Sequence, residues 1–202
     1  MKGSEYCKLY RDSDTLDYKL AFHCAPAVEG IKCANLISLK KPLSARAAAR
    51  LEELEQGLRA RGVTLYPLID DDSRLMLLVC CDKLLQLQLA EEANRKVLAR
   101  FGYPDSLNPS VLLARLAERI TQDGGDYPHE IGVFLGYPTC DVEGFIQNQG
   151  RRFQLCRYWK VYGDAENAER TFSAYDRVRS HYCGRVAGGE KIQSIYCEEA
   201  AV

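Results

Sequence analysis

Residues 63–81 place the strongest constraint on what this chain can fold into. Val63–Ile69 and Arg74–Cys81 are apolar runs joined by Asp70-Asp71-Asp72-Ser73, a connection of hairpin length. They predict an antiparallel pair. Pro67 pushes the first strand towards a sheet edge, because proline donates no ladder hydrogen bond. A helix precedes the pair, from about Ser44 to Arg61. Ser44 suits its cap, Ala47, Leu51, Leu54 and Leu58 form one apolar stripe, and Gly62 ends it. Another follows, a leucine-rich helix capped by Asp82, reaching about Phe101 and stopped by Gly102, with Pro104 just beyond. A hairpin set between amphipathic helices must bury its faces against them.

The rest of the chain extends this pattern. Pro26 and Gly30 are expected to break any helix in residues 1–30, and Ala34–Leu39 reads as a short strand. Asn108-Pro109 is a cap and first-turn pair for a helix to about Thr121. Tyr127–Pro138 is punctuated by glycine, and Thr139 or Asp141 opens a short helix ending near Gly150. Arg152–Tyr162 alternates like a strand, with Phe153, Leu155, Trp159 and Val161 on the core face. Asp164 caps the last clear helix, striped by Ala168, Phe172, Tyr175 and Val178, and Lys191–Tyr196 reads as a final strand. The expected fold class is α+β (mixed α/β): a single mixed sheet with an antiparallel hairpin, flanked by about five helices. At 202 residues, one domain over 1–202 is expected, with 102–108 the place where a subdomain border would fall.

Composition excludes several classes. With 47% apolar and 27% charged residues the chain is neither disordered nor a coiled coil. It holds no run of eighteen apolar residues, and its first residues lack a signal-peptide core, so the expectation is a cytoplasmic protein with no membrane partner. Lys+Arg total 27 against 28 Asp+Glu, which predicts no nucleic-acid partner. Nine cysteines are an odd number and C-x-x-C is absent, so reduced thiols and no structural zinc are expected. His181-x-Cys183 with Cys197 lacks the paired spacing of a zinc knuckle. No motif specifies a cofactor, and nothing sets the oligomeric state.

From residue 127 the sequence carries distinctive segments. These are Tyr-Pro-His-Glu-Ile-Gly-Val-Phe-Leu-Gly-Tyr-Pro (127–138), Asp141-Val142-Glu143-Gly144-Phe145-Ile146 with Asn148 and Gly150, and Tyr158-Trp159-Lys160-Val161-Tyr162-Gly163-Asp164. Earlier come His23-Cys24-Ala25-Pro26, Gly30-Ile31-Lys32, Ala34-Asn35-Leu36 and Gly102-Tyr103-Pro104. Together they resemble the bacterial domain-of-unknown-function family 3793, over about residues 20 to 185. Val28-Glu29 and Arg157 depart from its pattern. The resemblance implies a cytoplasmic bacterial protein and carries over no catalytic role.

Candidate chemistry centres on four residues: His129, Glu130, Cys24 and His23. An imidazole beside a carboxylate suits acid–base work, and a thiol brought to an imidazole makes a nucleophile–base pair. Neighbours in sequence do not face each other in a strand, so Cys24 would need His129 or His181 delivered by the fold. The plainer alternative is a buried thiol and a hydrogen-bonded histidine. Arg152, Gln154, Cys156, Tyr158, Lys160 and Tyr162 share the other face of the 152–162 stretch and form a candidate rim for a small anionic ligand, with Tyr158, Lys160, Tyr162 and Arg152 as the binding candidates. Arg157 on the apolar face calls for a buried acceptor such as Glu130 or Glu143. The reading these residues favour is a small-molecule-binding or regulatory module. The alternative is a Cys/His-dependent enzyme or a thiol- or iron-linked redox protein.

Overall fold

The structure is a computed structural model that describes residues 16–122, 127–192 and 194–195. Among them the order is α1 (Leu16–Val28), β1 (Ala34–Lys40), α2 (Ala45–Arg59), β2 (Val63–Asp70) and β3 (Arg74–Cys81). Then come α3 (Asp82–Ala90), α4 (Glu92–Arg100), α5 (Pro109–Gln122), α6 (Ile131–Phe134) and α7 (Thr139–Asn148). Last are β4 (Leu155–Cys156), β5 (Lys160–Val161) and α8 (Ala165–Ala187). The α+β class expected from the sequence is the class observed, with eight helices among the described residues rather than about five.

β2 and β3 pair antiparallel as the Asp-rich connection predicts. Asp71 closes the turn by accepting from the Ser73 and Arg74 amides at 2.7 and 2.9 Å. β1 pairs with the other side of β3, also antiparallel, giving the strand order β1-β3-β2. Pro67 therefore sits on an edge strand, at a break in the register before Ile69.

The central strand is buried on both faces, and its parity separates two cores. Leu75, Leu77 and Val79 pack with α1 and with Leu54 and Leu58 of α2. Met76, Leu78 and Cys80 pack with leucines of α3 and α5 and with α6. A third cluster joins Trp159 and Val161 to Ala168, Phe172 and Tyr175 of α8.

Four expectations are corrected. A helix does form in residues 16–28, and it runs through Pro26. An internal proline costs a helix about 3 kcal/mol. Here the burial of Tyr18, Leu20, Ala21, Cys24 and Ala25 offsets that cost, and the Pro26 carbonyl accepts from both Ile31 and Lys32 amides at 3.0 Å. The leucine-rich helix is broken at Glu91, whose backbone is extended, and the buried Asn94 side chain bonds the Gln88 carbonyl across the break at 2.9 Å. Residues 152–162 form a small hairpin of two-residue strands rather than one strand, and Phe153 turns outward at 41% exposure while Trp159 is buried at 8%. The expected final strand is not one: Ile192, Ser194 and Ile195 are helical, and Tyr196 lies outside the described residues.

Candidate functional site

A cavity of about 300 Å³ opens where the α6 region, α7 and the β4–β5 turn meet. Its chemistry begins with the local folding of each wall. Asp141 lies in the first turn of α7 and is buried, yet its carboxylate is fully engaged. One oxygen accepts from Trp159 Nε1 at 2.7 Å, and the other from the Tyr162 and Gly163 amides at 2.7 and 2.8 Å. Hydrogen bonds to a buried carboxylate are the strong kind, so they clamp the hairpin onto α7. Gly144 completes the join, because a Cβ there would fall 2.4 Å from Tyr162 Cγ.

With the walls clamped, rings line the cavity. Tyr127 and His129 come from the segment before α6, Tyr137 from just after it, Phe145 from α7, and Tyr158 and Trp159 from the hairpin turn. Tyr137 and Trp159 stack with centroids 5.0 Å apart, and His129 meets Phe145 edge-on at 5.1 Å. Two of the three phenols, those of Tyr137 and Tyr158, are committed elsewhere. Tyr137 donates to the Tyr158 carbonyl at 3.3 Å, and Tyr158 donates to Asp176 at 2.8 Å. Burial pushes the Tyr137 phenol up to about 12, and burial with the Asp176 contact pushes Tyr158 up as well. Neither is a ready proton donor.

The cations differ from each other. Arg157 pairs with Asp176 rather than with Glu130 or Glu143, which correspondingly take Arg119 and Arg100. Lys160 donates to the Gly150 carbonyl at 2.8 Å and lies over the Phe145 and Phe153 rings, with no carboxylate partner among the described residues.

The sequence-predicted residues scatter. His129, Cys156, Tyr158 and Lys160 line the cavity, whereas Arg152, Gln154 and Tyr162 do not. Glu130, adjacent to His129, is fully buried and turns into the core. There it accepts from Arg119 Nε at 2.5 Å and from the Tyr103 hydroxyl at 3.1 Å. Cys24 packs between α1 and the sheet in a different cluster, its thiol pushed up by burial. His23 is half-buried against Phe22, and burial together with the nearby Arg179 and Lys19 charges lowers its basicity. Arg179 lies over both the Phe22 and Tyr158 rings and is the link between that turn of α1 and the hairpin.

Sequence reasoning missed Phe145 and Asp141 as wall residues. For α7 the signal was present, since Asp141 and Phe145 are four apart and share a helix face.

A second, larger cleft of about 520 Å³ lies between α4 and residues 103–112. Its charged groups neutralise one another, Arg95 with Asp105 and Lys96 with Glu92, which leaves little to recognise a ligand. Among the described residues no three His, Cys, Asp or Glu side chains are placed to hold a metal, and no helix is long and apolar enough to cross a membrane.

Fold and cavity define an α+β protein with an aromatic, cation-bearing cleft outside its main sheet. The family follows from the sequence. The chain belongs to the family described as Protein of unknown function (DUF3793), whose model matches residues 20–196. No curated protein and no solved structure matches it.

Proposed function

We propose that this is a cytoplasmic bacterial module that binds a small molecule in the cleft between residues 127–145 and 156–160, in a regulatory rather than a catalytic role. The observation that carries the reading is convergence. Two stretches, residues 127–145 and 156–160, bring six aromatic rings to one cavity, of a volume at the lower end of ordinary ligand sites. The nearest acid–base combination, His129 with Glu130, is divided between the cleft and the Arg119 ion pair. The Cys24 thiol lies in the core. These placements favour binding over catalysis. The bacterial, cytoplasmic setting rests on the family resemblance and on a thiol-rich chain, which suits a reducing compartment.

The test incubates the full chain with a bacterial extract of molecules below about 1 kDa and weighs the complex by native mass spectrometry. Tyr127 and His129 are exposed, so Y127A and H129A are expected to keep the fold. A bound mass that both variants lose supports the cleft. A bound mass retained in full by both variants, or none at all, contradicts it.

A further inference from the structure

We infer that the cleft takes a planar aromatic anion, its ring held among the aromatic walls and its acid group on Lys160; this rests on the small-molecule reading above. The charge argument comes first. The groups facing the cavity include one carboxylate, Asp141, and both its oxygens already hold three donors. It therefore repels an incoming anion less than a bare carboxylate would. Arg157 is tied to Asp176, which it shares with Arg179. Lys160 is the cavity cation that has no carboxylate partner among the described residues, and an ammonium has three donors, of which the Gly150 carbonyl takes one. A positive charge set over two rings and beside an apolar wall is only partly solvated, which strengthens its pull on an anion.

The shape argument is independent. Tyr127, His129, Tyr137, Phe145, Tyr158 and Trp159 supply ring surface, while the hydroxyls of Tyr137 and Tyr158 and the indole N–H of Trp159 are all used within the protein. A ligand rich in hydroxyls, such as a sugar, would meet the Tyr127 hydroxyl and the His129 ring but would lay most of its polar groups against ring faces. A flat ring matches them by stacking and edge contacts. About 300 Å³ accommodates one ring system and its acid group better than it does a larger dinucleotide.

Three probes separate the parts of this assignment: 4-nitrobenzoate, its neutral amide, and cyclohexanecarboxylate. Binding to the full chain is followed by calorimetry. Protection of Cys156, an exposed wall thiol, from iodoacetamide is followed by peptide mass mapping. The benzoate is expected to bind about tenfold or more tightly than either comparison compound and to protect Cys156. K160M is expected to lose that preference while keeping its affinity for the amide, which shows that it is folded, and K160R is expected to retain the preference. Equal binding of acid and amide, or an unchanged preference in K160M, overturns the anion assignment and leaves the cleft reading standing. Equal binding of the cyclohexane acid overturns the aromatic assignment. Binding by none of the three overturns the ligand class, and the extract experiment then decides the cleft separately.

Discussion

Asp141 Oδ2 accepts a 2.7 Å hydrogen bond from the indole Nε1 of Trp159, eighteen positions further along the chain. That contact, with the two backbone amides on Oδ1, fixes the hairpin against α7 and so fixes the cleft. D141A orphans three buried or half-buried donors. Losing a charged acceptor of this kind costs about 2–4 kcal/mol. Urea denaturation is expected to show that loss, together with red-shifted emission from Trp159, the chain's sole tryptophan. Unchanged stability and emission would remove Asp141 from its clamping role.

Gly144 and Gly184 provide a matched pair of helical glycines. A Cβ at Gly144 would press into Tyr162, whereas one at Gly184 meets nothing within 4 Å. G144A is expected to destabilise by about 1–3 kcal/mol through overpacking. G184A should be neutral or stabilising by up to about 1 kcal/mol, the ordinary helix preference for alanine. Equal midpoints for the two variants would contradict the close approach of α7 and the hairpin.

His129 and Glu130 should respond in opposite ways. E130A leaves Arg119 and the Tyr103 hydroxyl without their buried acceptor, at a cost of about 3–5 kcal/mol. H129A removes an exposed ring resting on Phe145 and should shift stability by less than about 1 kcal/mol. Thermal melts of the two variants check this, and similar losses would mean that the two residues share one role.

Lys32 sets a pH dependence. It is 4% exposed, donates to the Ala34 carbonyl, lies over the Tyr137 ring and faces Cys24, Cys33 and Cys80. Burial lowers it from an ordinary 10.5 to about 8. Below about pH 8 both folded and unfolded chains carry the proton, and the folded state bears the full penalty of about 3 kcal/mol. Between about 8 and 10.5 the unfolded chain binds more protons, so this contribution to stability improves as pH rises. The thiols of Cys24, Cys33 and Cys80, raised chiefly by burial, act in the reverse direction; burial acts on them in wild type and K32M alike, and the Lys32 charge lowers them in wild type alone. The stability of K32M relative to wild type is therefore expected to fall by about 3 kcal/mol from pH 7 to pH 10.5 in chemical denaturation. A difference that stays flat with pH would contradict a buried charged lysine.

The sheet and most helices were legible because their signals are local. The Asp-rich turn closes on its own side chains, and Ser44 and Asp164 cap their helices through bonds to Ala47 and Asn167 amides. α1 was not legible, since its apolar residues surround the helix instead of forming a stripe, and only burial on several sides lets it pass through Pro26. The site was half legible. His129, Tyr158 and Lys160 were named from their segments, and these do line one cleft. Glu130 and Cys24 were named from chemical type, which cannot tell a side chain directed to a cavity from one directed to the core. That distinction depends on Arg119 and on the packing of α1, both remote in sequence.

Hydrogen exchange on the full chain, with and without the small-molecule extract, is the most direct test of where a ligand sits. Added protection is expected in peptides covering residues 127–145 and 156–160 and in no others. Protection confined to residues 92–112, around the larger charged cleft, or an unaltered pattern in the presence of a bound mass, would contradict binding in the aromatic cleft.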